Sequence, residues 1–366
     1  MTKKLWQKTI DRSNMFYWQG DRPFTEAETN QIFLNRHDNF NANLAKQAIE
    51  YGMQQAGKSK TNSKVKKLFN MIPFGSVNVV IKAQLADNSK VIFRSHPPEI
   101  KNGYFWAESV AAKAALQVGV PSYQTYYIDD TRKKFNFDYM LIECLPGKNM
   151  KSLWPIKKDL DKKLIEQTGF FLAKIHTIKP LGFGFFDNQI AKNKKKLVGI
   201  HDQWSKHIYA ALPQNLSYLI KTKVISSAQR KKINTIFSKN KTLLEINNPV
   251  LIQNDLADWN QLVYRNQVSA ILDWDECYSG DPIADFSAWS LFFDDNRMKH
   301  LLSGYQQVLP LPDVFEEKLH LYRLRYLVAK IALRKKKLMF KKSKFMQDLL
   351  NHGLKTMKQE FTWHNL

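Results

Sequence analysis

The chain has 366 residues, of which 44% are hydrophobic and 13% aromatic, enough to bury a substantial core in two lobes. Its only cysteines, Cys144 and Cys277, form no Cys-x-x-Cys pair, which argues against a disulfide framework or a zinc site. No apolar run approaches membrane-spanning length, and no long apolar segment follows Met1, so a cytoplasmic protein is expected.

The formal net charge is +23, from 56 lysines and arginines against 33 aspartates and glutamates. Such a charge can indicate a nucleic acid or an anionic membrane as partner. The lysines form scattered clusters, however, and aromatic residues that could stack on bases are sparse among them. We therefore interpret most of the charge as solvated surface and do not expect a nucleic-acid partner. The sequence does not indicate an oligomeric state.

The first 66 residues are predicted to be a helical N-terminal extension. One helix is expected to start at residues 25–28 and a second to cover residues 41–53, followed by a polar stretch at 57–63. No internal repeat or low-complexity tract interrupts the chain.

A glycine turn at residues 74–78 leads into a β-branched run at 79–81. With its single glycine, this turn is compatible either with a strand-turn-strand cover over phosphates or with a plain hairpin. A second strand is predicted at 91–94, after a turn at 87–89. It ends at Arg94, and Lys82 lies on the preceding strand.

An alanine-rich helix is predicted at residues 105–116, where Glu108 is also the kind of acid that a helix dipole favours in a first turn. A buried strand at 139–145 should stop at the Pro146-Gly147 breaker. Mainly helical segments are expected after that, at residues 157–176, 199–212, 226–244, 282–293 and 314–360. His176, at the end of the first of these, is interpreted as a structural buried histidine.

Three polar side chains stand at fixed intervals inside hydrophobic runs: Asp255, Asn260 and Asp273. Asn260 follows Asp255 by five residues, so a tight loop can bring both to one side. Two short strands, at 262–264 and 269–272 around a turn at 265–267, would deliver Asp273 beside that loop. In phosphoryl transfer, one carboxylate orients the attacking hydroxyl, while an amide oxygen and a second carboxylate hold magnesium on the phosphates. Any one of these acids alone is more often a turn former or a cap.

These residues belong to a longer pattern that resembles the aminoglycoside phosphotransferase and choline kinase superfamily. The matching positions are Gln253-Asn254-Asp255, Asn260, Leu272-Asp273-Trp274, Gly280-Asp281-Pro282 and Asp285. The chain departs from the family pattern at Gln253, where the family has a histidine that supports the loop. The departure bears on loop stability more than on the chemistry.

The resemblance implies an α+β, bilobal protein-kinase-like fold that holds ATP and Mg²⁺ between its lobes. The small lobe, residues 67–146, would contain an antiparallel sheet plus a helix and bind the nucleotide. The larger, mainly helical lobe, residues 147–366, would carry the catalytic loop, the metal site and the acceptor-binding helices.

Individual roles follow from the same resemblance. Asp255 would be the catalytic residue, and Asn260 and Asp273 would bind the metal. The nucleotide-binding residues would be Gly75, Ser76, Asn78, Arg94, Glu108, Glu143 and Leu145. Within this set, Arg94 takes the place of the family's phosphate-gripping lysine and pairs with Glu108, with Lys82 as the competing cation. The Glu143 carbonyl and the Leu145 amide would receive adenine.

The implied activity is transfer of the ATP γ-phosphate to a hydroxyl of a small molecule, an aminoglycoside-type antibiotic first. The alternatives are choline, ethanolamine or another metabolite, or a catalytically silent nucleotide-binding protein. A polycationic acceptor would need acids, for which Asp258, Asp275, Glu276, Asp294 and Asp295 are the candidates, although caps and turns explain them equally well. A quaternary ammonium could bind in an aromatic box, for which the candidates are Trp204, Tyr209, Trp289 and Phe292, although core packing is the usual role of such residues.

Overall fold

The computed structural model describes residues 26–37, 40–69, 78–99 and 104–365, and it has the predicted kinase-like α+β architecture. The glycine turn, with Gly75 and Ser76, lies outside the described residues. Within them, no helix combines the length and the apolar character needed to cross a bilayer.

The small lobe is built around a five-stranded antiparallel sheet with the order β1-β2-β3-β5-β4. Two helices precede this sheet in the chain, and a third follows β3. The bounds of these elements are α1 Glu26–Leu34, α2 Ala42–Gln55, β1 Val65–Phe69, β2 Val79–Leu85, β3 Lys90–Ser95, α3 Phe105–Gln117, β4 Thr125–Asp129 and β5 Tyr139–Glu143.

The two faces of the small sheet pack against different parts of the protein, because successive side chains of a strand point to opposite sides. One face, with Phe93 and Leu141, packs on α2 through Ala48 and Ile49. Met140 and Ile142, one residue out of phase, join the core that includes α3 and the larger lobe. Helix α2 is therefore part of the small lobe's packing, although it falls in the segment predicted as an extension.

The larger lobe is mainly helical and has two small antiparallel sheets, with the orders β11-β10-β6 and β8-β7-β12-β9. Its strands are β6 Lys148–Asn149, β7 Phe183–Phe186, β8 Gly199–His201, β9 Val250–Ile252, β10 Gln261–Tyr264, β11 Gln267–Ile271 and β12 Tyr278–Gly280. Its helices are α4 Lys158–Ile175, α5 Asn188–Lys194, α6 Trp204–Tyr209, α7 Leu212–Lys221, α8 Ser227–Lys239, α9 Ile283–Trp289, α10 Asp295–Tyr305, α11 Phe315–Phe340 and α12 Lys344–Trp363.

The predicted helix over residues 199–212 is wrong. Gly199 begins β8, which pairs with β7, and only residues from Trp204 onward are helical. A Cβ at position 199 would come within 2.5 Å of the Phe183 backbone nitrogen and oxygen. Close strand pairing at this glycine therefore overrides the helical periodicity that follows it.

Candidate active site

The candidate catalytic loop, residues 253–260, begins where β9 ends, and Asp285 on α9 fixes its backbone. The Asp285 carboxylate accepts hydrogen bonds from the Gln253 amide at 3.0 Å and from the Asn254 amide at 2.6 Å. The same carboxylate lies 3.0 Å from Nε2 of His176, whose Nδ1 lies 3.0 Å from the Tyr305 hydroxyl. Both His176 and Asp285 are buried. His176 is thus the structural histidine that the sequence predicted, and Asp285 holds the loop.

Gln253 takes over the supporting task expected of a histidine. Its side chain is fully buried, and its Nε2 donates to the carbonyls of Leu272 at 3.3 Å and Asp273 at 3.1 Å. Its Oε1 accepts the Asp255 amide at 2.8 Å. A primary amide has both donors and an acceptor, so this single side chain ties the catalytic loop to the strand end that carries Asp273.

Asp255 and Asn260 are adjacent, as their spacing predicted. Nδ2 of Asn260 donates to the Asp255 carboxylate at 2.7 Å and to the Asp255 carbonyl at 2.9 Å. These bonds orient the Asn260 amide so that its oxygen points away from Asp255 and can act as a ligand. The indole Nε1 of Trp259 lies 3.4 Å from the same carboxylate.

Asp273 reaches this loop from the predicted hairpin. Strands β10 and β11 pair around Arg265 and Asn266, both at positive φ, as a tight hairpin turn requires. Asp273 itself has φ +59°, a left-handed conformation that is uncommon outside glycine. Its Oδ1 lies 2.8 Å from Nη2 of Arg94.

Arg94 links the two lobes through two ion pairs, a buried one with Glu108 and a partly exposed one with Asp273. One guanidinium nitrogen contacts Glu108 on α3, and the other contacts Asp273 in the large lobe. The Tyr123 hydroxyl also donates to Glu108. Burial acts to lower the pKa of Arg94, but Glu108 and Asp273 outweigh it and raise that pKa well above its usual range. The guanidinium therefore stays charged inside the cleft.

The carboxylates around Asp255 form a strongly negative environment. Burial and the charge of Glu276 raise the pKa of Asp255 to about 8. Burial also raises the pKa of Asp273, although Arg94 opposes that shift. A bound cation would lower both pKa values, so the chemistry of the site fits a divalent metal.

The donor set fits magnesium held together with phosphate groups. In the described ranges, no three histidine, cysteine, aspartate or glutamate side chains come together in a way that could hold a metal without other ligands. Magnesium in nucleotide sites usually takes one or two carboxylates, with phosphates and waters completing the octahedron. Asp273 and the amide oxygen of Asn260 could supply such a partial set.

A cleft of about 490 Å³ between the lobes collects most of the predicted site residues. Asn78 and Arg94 line it from the small lobe, and Glu143 and Leu145 from the end of β5 and the segment that follows it. Asp255, Asn260 and Asp273 line its floor. Glu108 lies behind Arg94 and takes part through that ion pair.

Lys82 also lines the cleft, but it is closer to the segment that connects the lobes. Lys82 pairs with Ile92, and Ile92 pairs with Ile142, next to the end of β5 that leads to the larger lobe. Arg94 pairs with Val80 and with Met140, which is two residues further from that end of β5. Two residues along a strand correspond to about 7 Å. Of the two cations, Arg94 alone contacts Asp273 in the described structure.

The acids proposed for the acceptor are not equivalent. Asp275 and Glu276 line the cleft. The prediction was wrong for Asp258, which is buried against Arg297 at 3.1 Å and accepts the Trp154 indole at 2.7 Å. Asp294 is the N-cap of α10, and Asp295 is the first residue of that helix.

The four aromatic residues considered for a box do not assemble. Trp204 and Trp289 are buried, and Trp204 stacks on His207 and Tyr278. Tyr209 packs against Phe237. Phe292, 37% exposed, instead meets Trp259, 38% exposed, with ring centroids 5.1 Å apart. Trp259 lines the cleft beside Asp255.

Three contributors to the site were not identified from the sequence. Tyr123 binds Glu108, Trp259 borders Asp255, and Tyr326 on α11 donates to Oδ1 of Asn254 at 2.7 Å. Trp259 lies inside the catalytic motif, so its position next to Asp255 was a usable signal. Tyr123 and Tyr326 are distant in the chain and carry no local signal.

The fold and the cleft define a kinase-like phosphotransferase architecture. Residues 72–317, more than half of the chain, match the model of the phosphotransferase enzyme family. The chain belongs to that family. No curated protein sequence matches the chain.

Several solved structures share the fold at low sequence identity. One is a thermostable mutant of aminoglycoside phosphotransferase APH(4)-Ia in ternary complex with AMP-PNP and hygromycin B, at 14% identity and a TM-score of 0.60, covering 84% of this chain and 98% of that one. A fructosamine-3-kinase-like protein from Thermobifida fusca has 16% identity and a TM-score of 0.59, covering 85% and 99%. The gentamicin complex of APH(2")-IIa has 15% identity and a TM-score of 0.56, covering 88% and 97%.

Proposed function

We propose that the protein is a Mg²⁺- and ATP-dependent kinase that phosphorylates a hydroxyl group of a small molecule. The observation that carries this proposal is the meeting of two sets of side chains in one cleft. Asp255 and Asn260 come from the catalytic loop, and Asp273 is joined through Arg94 to Glu108 in the other lobe. Family membership supports the same reaction class.

Each group has a role in the proposed reaction. Asp255 orients the acceptor hydroxyl and takes up its proton as the oxygen bonds to the γ-phosphorus and ADP leaves. Asn260 and Asp273 hold magnesium, which neutralises phosphate charge when bound. Arg94, positioned by Glu108, contacts the phosphates, and Gly75, Ser76 and Asn78 are proposed as further nucleotide-binding residues on the basis of the family pattern. The backbone of Glu143 and Leu145 binds adenine.

For the acceptor, we propose an aminoglycoside-type antibiotic, whose phosphorylation would confer resistance. Asp275 and Glu276, which line the cleft near Asp255, support binding of a polycation. The two free cysteines and the use of ATP fit a cytoplasmic enzyme. A second candidate acceptor is choline or a similar quaternary ammonium, which the exposed pair of Trp259 and Phe292 would favour by cation-π attraction.

The test is ADP release from purified protein with ATP and Mg²⁺, measured against aminoglycosides, choline, ethanolamine and small sugars. An acceptor-dependent signal that is lost in Asp255→Asn supports the kinase and identifies the acceptor class. The matched control is Asp202→Asn, an isosteric change at an exposed aspartate paired with Lys206. Nucleotide binding without turnover on any acceptor would favour the silent alternative.

A further inference from the structure

The end of α11 and the start of α12 expose two large apolar side chains. Met339 is 63% exposed and Phe345 is 70% exposed, which places both among the most exposed large hydrophobic residues in the described part of the chain. They lie six residues apart, on either side of the turn that joins the two helices.

Met339 lies on the same side of α11 as buried residues nearer the middle of the helix, but it extends beyond the core. It lies seven residues, or two helical turns, after Ala332, which is buried. The Tyr218 hydroxyl lies 3.1 Å from the Met339 sulfur. Phe345 lies in the first turn of α12, whose buried residues begin at Leu350. Neither side chain is covered by the core.

Lysines surround these two side chains. Lys341, Lys342 and Lys344 are exposed in and beside the turn, and Lys335 and Lys336 precede it on α11. Asp348 is the only acid between residues 335 and 348. Arg334 is not part of this exposed group, because it donates to the Leu349 carbonyl at 2.7 Å.

Exposed apolar residues beside a concentrated positive charge are complementary to an anionic lipid surface. Apolar side chains can enter the boundary between headgroups and acyl chains while lysines approach the headgroup phosphates, and each basic residue near such a surface contributes about 1 kcal/mol. A single-stranded nucleic acid would instead require several stacking aromatic side chains, and Phe345 is the exposed aromatic residue of this turn. We propose that residues 335–345 form a docking surface for anionic membranes.

The docking surface leaves the cleft accessible. Tyr326, on the same helix, contacts Asn254 of the catalytic loop. Met339 lies 13 residues further along α11, about 20 Å at the helical rise. Membrane binding at the turn therefore involves none of the side chains assigned to catalysis, and it can be tested separately from turnover.

The experiment is co-sedimentation of the full chain with vesicles of phosphatidylcholine alone or of phosphatidylcholine mixed with phosphatidylserine. We expect binding to the anionic vesicles only. The variant Lys341→Gln/Lys342→Gln/Lys344→Gln should bind them about tenfold or more weakly, given the contribution per lysine. Met339→Ser/Phe345→Ser should weaken binding in the same direction.

The matched control removes the same charge elsewhere. Lys157→Gln/Lys158→Gln/Lys163→Gln changes three exposed lysines at the start of α4 and should bind as the unmodified chain does. A melting curve for each variant verifies folding. An equal loss in the control, equal binding to both vesicle types, no binding, or displacement of the vesicles by a short single-stranded RNA would each overturn the proposal.

Discussion

Arg94 makes a connection that a lysine could not reproduce. Its planar guanidinium contacts Glu108 through one nitrogen and Asp273 through another. A lysine carries a single ammonium on a flexible stem and cannot contact both carboxylates with the same fixed geometry. The arginine therefore positions the proposed metal ligand, Asp273, and the small-lobe helix α3 together.

The substitution Arg94→Lys tests this connection. We expect the KM for ATP to rise about tenfold, which corresponds to about 1.4 kcal/mol, with a smaller effect on the KM for the acceptor. Steady-state kinetics with each substrate varied in turn measure the difference. An unchanged KM for ATP would mean that Arg94 does not help to hold the nucleotide.

His207 is a residue whose burial makes stability depend on pH. It is stacked between Trp204 and Tyr278, and its Nδ1 has no hydrogen-bond partner in the described structure. Burial, with a smaller effect of the nearby His201, lowers its pKa from 6.5 to about 3. Below pH 6.5 this histidine is protonated in the unfolded chain but stays neutral in the folded chain. The free energy of unfolding therefore falls as the pH drops from 6.5 towards 3.

We expect this histidine to lower the free energy of unfolding by about 1.6 kcal/mol between pH 6.5 and 5, because the slope approaches about 1.4 kcal/mol per pH unit only below the unfolded pKa. His207→Phe keeps the aromatic stacking and removes the titrating group. The decrease in the free energy of unfolding over that pH range should therefore be smaller in the variant by this amount. Urea unfolding at the two pH values measures it. The idea fails if both proteins lose the same stability.

At the scale of elements, two glycines allow α4 and α10 to pack very closely. A Cβ on Gly304 would lie 1.8 Å from the Glu166 carbonyl oxygen, and a Cβ on Gly169 would lie 1.9 Å from that of Leu301. Helix α4 ends beside His176, which bonds Asp285 and so supports the catalytic loop. The separation of these two helices is thereby connected to the geometry of the site.

Gly304→Ala should therefore lower the free energy of unfolding by about 3 kcal/mol, since backbone atoms must move apart. Ser303→Ala, at the adjacent exposed position of α10, is the matched control and should change it by less than about 0.5 kcal/mol. Denaturant titration compares the two. Equal stability of both variants would contradict the close packing described here.

The elements nearest the site were the most predictable from the sequence. The hairpin of β10 and β11 and the spacing of Asp255 and Asn260 depend on local turn geometry, which residue types encode. The helix predicted over residues 199–212 failed because Gly199 pairs with a strand that is distant in sequence. The ion pair of Asp258 with Arg297 was missed for the same reason, since nothing near Asp258 in the chain indicates its partner.

Gln253 shows what a departure from a family pattern does and does not reveal. From the sequence, the replacement of the family's histidine by Gln253 was expected to affect how the loop is supported. It did not indicate that the amide would connect Asp255 to the carbonyls of Leu272 and Asp273, because those contacts depend on how the hairpin folds back.

For the whole molecule, the cleft lies between the lobes, so a nucleotide that binds there as proposed would connect them and stabilise the fold. Asn78 and Arg94 come from the small lobe, and Asp255 and Asp273 from the large one. A ligand that binds only the folded state at 100 times its Kd stabilises it by about 2.7 kcal/mol. We expect ATP with Mg²⁺ to do so and ATP with EDTA to give a smaller effect, which melting curves would measure. Equal stabilisation with and without the metal would argue against the Mg²⁺ site.

The most direct test of the proposed chemistry is Mg²⁺-dependent release of ADP in the presence of an acceptor panel, compared between the unmodified chain and Asp255→Asn. We predict acceptor-dependent turnover that falls by at least about a hundredfold in the variant, while its affinity for ATP stays within a few fold. Comparable turnover in Asp255→Asn would contradict the assignment of Asp255 as the catalytic residue.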